Sequence, residues 1–492
     1  MEKKGYKIVV IDIGKTNKKI SVLSENLEFI YSESTQIDVI EKDNIICDNI
    51  TQTTDWLLKK LRGICAEYEI KVISVTTFGA TVTHIDRNGN LVLPVISYTH
   101  EPGETIREEF YKKFGSKEEL YLRTATPPFP QLLTVAMQLF WIKETKPELW
   151  EQIDRILFLP QYFGYIFTGK SIVEYTSIGC HTYLYDFNKN YWSDIAIKLD
   201  IGKRMPEKIN YPWNILGKVN KKFCEQVGID DSCIITAGIH DSNASLLPYL
   251  IGKKKDFILA STGTWSVFMY PNSGFYLSVD DMYKDTLYYI DPFGHPVRAS
   301  RFKCGEEHDY YTKLIIEKFN QDPKRLKLDI RVIKEIIESC DCFVIPTLTP
   351  GSGQFPNSKP RIINEKKFYS DYITAYHVLC LSLAIQSYFA IKQIINEKRN
   401  TMIYVEGGFR NNDIYIKLLS SLFKKNKVFS TDVKQATSLG AGICAKCAYE
   451  GISPEELSQD LVDTDEILID KIELDQNLTE KYITKFKDYC SE

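Results

Sequence analysis

The sequence predicts an α/β protein built from two related domains, and three features carry that expectation. The first is a strand, tight turn, strand pattern that occurs twice, over Lys7–Leu23 around Gly14 and over Asp256–Met269 around Gly263, 249 positions later. The second is a β-favouring run that breaks through a turn into a helical pattern, at Ile234–Leu247 and again from Met402 into Ile414–Phe423. The third is length, since 492 residues exceed one ordinary core. A design repeated half a chain apart implies two domains of common architecture facing a shared cleft, and the boundary is placed to give domains 1–250 and 251–492.

Composition narrows the function classes. With 44% apolar and 26% charged residues the chain is ordinary globular protein, and a net charge of −4 leaves no surplus of cations for nucleic acid or an anionic membrane. Short runs such as Lys253-Lys254-Lys255 read as a solvated turn. No uninterrupted apolar stretch approaches the roughly 20 residues of a membrane span, and the N-terminal run is too short for a signal peptide, so a cytoplasmic protein is expected. The 12 cysteines are scattered and expected to be reduced, with Cys444 and Cys447 read as helix packing.

In order along the chain, Lys7–Leu23 reads as a hairpin whose turn carries Gly14, Thr16 and Asn17. Such a turn suits a phosphate, with Lys15 or Lys19 supplying positive charge and Asp12 placed to hold Mg²⁺ through water; an ordinary hairpin explains the same residues. A helix around Thr53–Tyr68 precedes a strand Val72–Thr76 that runs into Phe78-Gly79. The extended run Leu91–Glu101 ends in polar groups able to read sugar hydroxyls, and Pro130–Glu144 is helical. Arg155–Pro160 is strand-like and leads into an aromatic helix, Gln161–Phe167. Val173–Thr182, polar and rich in small residues, suits a pocket wall, with His181 read as a packed or surface histidine.

At Ile234–Leu247 the strand ends in a Gly turn and Asp241 stands at the strand-to-helix junction, where α/β proteins carry catalytic groups. It could equally cap the helix through the Asn243 or Ala244 amides. In the second half, Gly407-Gly408 occupies the equivalent junction, and paired glycines let backbone approach a flat ligand. A long helix, Thr374–Glu397, precedes it, and the small residues after Gln435 predict a tightly packed helix.

Taken together these stretches resemble the FGGY carbohydrate kinases, within the actin, hexokinase and Hsp70 ATPase superfamily. Asp12-Ile13-Gly14-Lys15-Thr16-Asn17 is similar to the first phosphate motif, with the usual Thr-Thr-Ser altered, and Ser261-Thr262-Gly263-Thr264-Trp265-Ser266 to the second. Gly407–Asn412 resembles the adenosine motif, and His240-Asp241-Ser242-Asn243-Ala244 falls where the family places its catalytic Asp. Leu159–Lys170 and Glu174-Tyr175-Thr176 are most similar to the rhamnulokinase and L-fuculose kinase branch. The chain departs from that branch at Gln161 (usually Asp), at His100-Glu101-Pro102-Gly103 (usually Asp-x-x-Arg) and at Phe78-Gly79 (usually Trp-Gly), which leaves the sugar open.

The resemblance implies two actin-like (ribonuclease H-like, hexokinase-type ATPase) domains and ATP-dependent transfer of a γ-phosphoryl group to a primary hydroxyl of a ketose. A deoxyketose such as L-rhamnulose is implied, with L-fuculose or another ketose or polyol as alternatives, and a non-catalytic sugar or nucleotide sensor as the rival class. ATP would meet Gly14, Lys15, Thr16, Asn17, Lys19, Ser261, Thr262, Gly263, Thr264, Gly407, Gly408 and Asn412. Asp241 would be the general base and Asp12 would hold Mg²⁺, while Phe78, Gly79, His100, Gln161, Tyr162, Glu174, His240 and Asp241 would line the sugar site. Glu174 is the leading sugar ligand there, since a carboxylate accepts from two hydroxyls. The expected partner is a small-molecule sugar, with no nucleic acid or membrane, and the protein is expected to be a monomer or homodimer.

Overall fold

A computed structural model describes residues 5–252, 256–271, 273–433, 435–462 and 465–492. The Lys253-Lys254-Lys255 run lies outside them. The main elements are β1 (Lys7–Ile13), β2 (Asn17–Ser24), β3 (Phe29–Gln36), α1 (Ile50–Glu67), β4 (Ile70–Thr77), α2 (Leu159–Thr168), β5 (Ile215–Lys218), β6 (Ile234–Thr236), β7 (Ile239–His240) and α3 (Asp241–Gly252). They continue as β8 (Phe257–Thr262), β9 (Ser266–Tyr270), β10 (Pro296–Phe302), α4 (Cys304–Phe319), α5 (Tyr372–Ile394), β11 (Met402–Gly407), α6 (Asp413–Leu422), β12 (Val428–Asp432), α7 (Ala436–Glu450), β13 (Asp465–Leu468) and α8 (Gln476–Cys490). The chain divides into two compact units. The first comprises 1–252, 288–296 and 434–463, so it draws two segments from the half of the sequence expected to form the second domain.

In the first unit the strands run β5-β6-β4-β1-β2-β3, with β7 also paired to β4. β1 pairs antiparallel with β2 and parallel with β4, β4 is parallel to β6 and β7, and β6 is antiparallel to β5. β1 (KIVVIDI) is buried almost throughout, as a central strand covered on both faces must be, whereas β3 alternates half-buried and exposed residues at the sheet edge. The hydrophobic core gathers Val9, Ile11, Leu57, Ile73, Phe163 and Ile235. α7 packs on this unit as its small residues predict: a Cβ on Gly440 would lie 1.9 Å from the Ala244 carbonyl oxygen of α3, and Cys444 and Cys447 are buried free thiols.

In the second unit six of its sheet's seven strands run β10-β9-β8-β11-β12-β13. β8 is antiparallel to β9 and parallel to β11, β11 is parallel to β12, and β10 and β13 are antiparallel to their neighbours. Over these six strands the order and directions are those of the first unit's path, with β8 standing for β1 and β11 for β4, so the repeated hairpins of the sequence occupy equivalent places in two similar sheets. α5 buries residues along nearly its whole length in the unit's core. Among the described residues it is the one helix long and apolar enough to cross a membrane, and 78% of its most apolar window is buried. Thr374, His377, Ser382 and Gln386 interrupt its apolar run.

Candidate active site

Register places the site. In the first unit Asp12 of β1 stands opposite Thr76 of β4, which is also opposite Ile239 of β7; one step on, Ile13, Thr77 and His240 form the next row. Asp12 and Asp241 therefore emerge from the carboxyl ends of parallel strands, where open α/β sheets bind their ligands. The Asp12 side chain is 13% exposed, accepts a 3.0 Å hydrogen bond from Ser438 Oγ of α7 at Oδ2, and lies 3.9 Å from Lys19 Nζ. Burial pushes its pKa up to about 6 against the opposing pull of Lys19 and Ser438, and the neighbouring Asp241 carboxylate raises it further.

Asp241 opens α3. Its Oδ1 accepts from Ser242 N at 2.6 Å and from Ser242 Oγ at 3.2 Å, so the helix-capping partner is the next residue and not Asn243 or Ala244. Among the described residues nothing hydrogen-bonds Oδ2. The side chain is recessed, 31% exposed, and loss of solvent raises its pKa to about 6. His240 Nε2 stands 3.1 Å from Oδ1; burial holds that ring down at about 4, so it is neutral near pH 7 and the contact is no ion pair.

Around this pair the structure gathers some of the expected sugar residues and not others. Gly79 backs directly onto His240, where a Cβ would come within 2.8 Å of Nε2. Gln161 is fully buried and donates from Nε2 to Ala237 O at 2.7 Å, bracing the turn ahead of His240. Phe78 packs edge-on to Tyr98 and beneath the Lys15 ammonium, Tyr162 belongs to the core, and His100 packs against Trp141. Among the described residues no hydrogen bond or ion pair joins these last three to Asp241. His181 is buried, packed against Phe129 and Tyr289.

Glu174 is corrected. It is 0% exposed, and both carboxylate oxygens are taken: Oε2 by Thr176 N at 2.6 Å and Thr176 Oγ1 at 2.7 Å, Oε1 by Ser177 N at 2.7 Å. It caps a short helix, Tyr175–Ile178, and with three donors already on it and no exposed surface it is not open to two sugar hydroxyls.

Lys15, expected to reach phosphate, is also redirected. Its ammonium pairs with Asp48 at 2.6 Å and Ser97 Oγ at 2.8 Å, 4.3 Å from the Tyr98 ring centre. The buried Lys18 instead holds the turn from below, donating to the carbonyls of Lys15 (2.8 Å), Thr16 (3.3 Å) and Ile37 (3.0 Å). Thr16 and Asn17 are exposed at its tip, and of the two proposed cations only Lys19 faces Asp12.

In the second unit the equivalent turn is closed by Gly263 N donating to Trp265 O at 3.0 Å, with Gly263 and Thr264 exposed and Ser261 half-buried. Thr262 sits opposite Gly407 in the β8–β11 ladder. Its hydroxyl donates to Glu406 O and accepts from Phe409 N at 3.1 Å, tying the phosphate-like turn to the Gly-Gly loop. Gly407 has φ +82° and no room for a side chain, a Cβ falling 1.9 Å from Thr262 O. Gly408 is exposed with open space beside it. Asn412 caps α6 through Tyr415 N and donates to the Tyr376 hydroxyl, which also contacts His308 Nε2 at 2.9 Å.

Sequence reasoning missed Ser438, Lys18, Asp48 and Thr176. Lys18 and Asp48 carried no motif; Thr176 lay inside a stretch already read as a pocket wall, but its partner is 64 residues away.

A mixed sheet of one topology, present once in each unit and carrying an acid or a Gly-rich turn at its carboxyl ends, defines the actin-like class of α/β proteins. Within that class the chain belongs to the FGGY family of carbohydrate kinases: residues 7–248 match its N-terminal domain and 254–453 its C-terminal domain. Curated relatives include a rhamnulokinase of Halalkalibacterium halodurans, 28% identical over 54% of this chain and 56% of that protein, and an L-fuculokinase of Escherichia coli, 22% identical over 53% and 56%. The chain thus spans about half the length of the curated relatives it matches. Over whole chains, a carbohydrate kinase from Novosphingobium aromaticivorans superposes with TM-score 0.81 at 23% identity, covering 99% of this chain and 98% of that one. Plasmodium falciparum glycerol kinase with ADP gives 0.79 at 17%, covering 99% and 98%, and at such identities the likeness is one of fold.

Proposed function

We propose that this chain is an ATP-dependent kinase that transfers the γ-phosphoryl group of ATP to a primary hydroxyl of a ketose. The observation that carries the reading is the pair Asp12 and Asp241: two recessed carboxylates at the carboxyl ends of β1 and β7, the strands on either side of β4, each with a pKa near 6, one of them with a free oxygen. Asp241 Oδ2 is assigned to accept the proton of the attacking hydroxyl, and a base with a pKa about 6 is unprotonated and ready at neutral pH. Ser242 fixes the other oxygen so that the free one keeps its aim.

The donor set suits a divalent cation. Asp12 and Asp241 are hard oxygen ligands whose mutual repulsion a cation relieves, and two carboxylates suit an ion such as Mg²⁺ that keeps water and phosphate ligands. Asp12 is assigned to hold it through water, with Ser438 orienting the carboxylate. Once bound, Mg²⁺ neutralises charge on the phosphate oxygens. The phosphates of ATP are assigned to the turn at Gly14, Lys15, Thr16 and Asn17 with Lys19, and to Ser261, Thr262, Gly263 and Thr264, Lys15 contributing backbone only; the nucleoside is assigned to Gly407, Gly408 and Asn412.

Gly79, Gln161, His240 and Asp241, with Phe78, His100 and Tyr162 further out, are proposed to shape the sugar site. The names of the curated relatives favour a deoxyketose, L-rhamnulose first and L-fuculose second. The protein is proposed to be cytoplasmic, as a monomer or homodimer. ADP release measured against L-rhamnulose, L-fuculose, D-xylulose, L-ribulose and glycerol tests the reading. Strong stimulation by one sugar is expected; nucleotide hydrolysis indifferent to all of them would point to a sensor or switch and overturn it.

A further inference from the structure

Glu174 is a carboxylate buried completely among neutral donors, and among the described residues no cation pairs with it. A neutral Ser, Thr or Asn would cap a helix at lower cost than a buried charge. What the carboxylate adds is polarity. Burial raises the Glu174 pKa to about 7, and in its ionised form the carboxylate only accepts, so the Thr176 hydroxyl at 2.7 Å then gives its proton to Oε2 and keeps its own lone pairs for another donor. That oxygen lies 2.9 Å from the backbone N–H of His240. His240 belongs to a two-residue strand, too short to hold its own register, and its carbonyl leads directly into Asp241.

We propose that Glu174 and Thr176 are positioning residues for Asp241: the buried carboxylate sets the direction of the Thr176 hydroxyl, and the hydroxyl anchors the peptide unit preceding the base. The short helix Tyr175–Ile178 is the rigid arm between them. At four residues it has no stability of its own and exists because Glu174 satisfies its first amides. Neither residue touches substrate in this arrangement. The inference rests on the reading of Asp241 as the base, but its structural half, the anchoring of His240, does not.

The test compares Thr176→Val, Thr176→Ser and Glu174→Gln in the full chain. Valine keeps the shape and removes the acceptor, and loss of base alignment is expected to lower kcat about 10- to 100-fold while KM for ATP and for sugar stay within about twofold. Serine restores the oxygen and is expected to recover most of kcat. In Glu174→Gln the amide has one oxygen to offer either the two Thr176 donors or Ser177 N, so one capping bond is lost and the Thr176 hydroxyl is held less firmly; a smaller loss in kcat is expected, and this variant serves if valine does not fold. Amide hydrogen exchange of the peptide carrying His240 should quicken in Thr176→Val and Glu174→Gln and return to the wild-type rate in Thr176→Ser, a pattern a general loss of stability would not give. If wild type shows no sugar-stimulated ADP release, the kinase reading fails and the exchange pattern alone decides the anchoring. If wild type is active but Thr176→Val retains its kcat, or exchange at His240 does not change, the positioning role is overturned.

Discussion

Ser438 Oγ donates to Asp12 Oδ2 at 3.0 Å, joining the first sheet to a helix 426 residues later in the chain. The bond favours the charged carboxylate and works against the burial that raises its pKa. Replacing Ser438 by Ala should therefore raise the Asp12 pKa further and free the carboxylate to rotate. The expected outcome is a several-fold higher Mg²⁺ concentration for half-maximal ADP release and an acid limb of kcat/KM displaced to higher pH. A profile superimposable on wild type would mean that Asp12 does not serve the metal.

The two carboxylates near 6 make opposite demands on activity and stability. Activity needs both unprotonated, so kcat/KM should fall steeply below about pH 6. For stability the sign reverses. An unfolded Asp titrates at about 3.9, so the folded chain holds these protons more tightly. Their contribution is fully present below that value and is lost as pH rises through about 6. Asp241→Asn removes one such group: turnover should drop about 10³-fold with ATP binding retained. The melting temperature of the variant should exceed wild type at about pH 8 and match it at about pH 4. A variant no more stable than wild type at alkaline pH would show that Asp241 is not strained by burial.

How much of this was legible beforehand depends on the range of the interactions. The hairpins around Gly14 and Gly263 and the junctions at Asp241 and Gly407 are written in local patterns of alternating apolar residues and turn formers, and they fold as read. The aim of side chains is not local. Glu174 looks like a sugar ligand until the three donors of its own short helix claim both oxygens, and Lys15 looks like a phosphate ligand until Asp48 is seen 2.6 Å away. The assignment of α7 to the first unit was equally hidden, since nothing within Ala436–Glu450 names the sheet its small residues will meet.

Gly407 and Gly408 look alike in sequence and differ in structure. A methyl on Gly407 would fall 1.9 Å from Thr262 O at a φ of +82°, whereas at Gly408 nothing lies within 4 Å. Gly407→Ala should destabilise the chain by about 1–3 kcal/mol or more, since backbone must move to admit the methyl. It should also weaken ATP binding, because the loop it distorts is tied to the Thr262 hydroxyl. Gly408→Ala should leave the denaturation midpoint unchanged. Equal midpoints for the two variants, measured in urea, would contradict the crowding at Gly407.

The last prediction separates two lysines three positions apart that sequence alone would rank the other way. Lys18 is 5% exposed and its ammonium donates to three carbonyls, two of them in the phosphate turn itself, so it fixes the backbone that would receive ATP. Lys15 spends its charge on Asp48 and Ser97, away from that backbone. Lys18→Met keeps the aliphatic stem but removes the donor to the Lys15 and Ile37 carbonyls, Thr16 O keeping the Ile37 N–H at 3.3 Å, a cost of about 1–3 kcal/mol for polar groups left unpaired. With the turn loosened, KM for ATP should rise several-fold and kcat change little, because Asp241 is held by other contacts. Lys15→Met should disturb ATP affinity less, its main effect being the loss of the Asp48 pair. Steady-state kinetics with ATP varied at saturating sugar decides the order. A larger KM effect at Lys15 than at Lys18 would return the phosphate-binding role to the side chain and take it from the braced backbone.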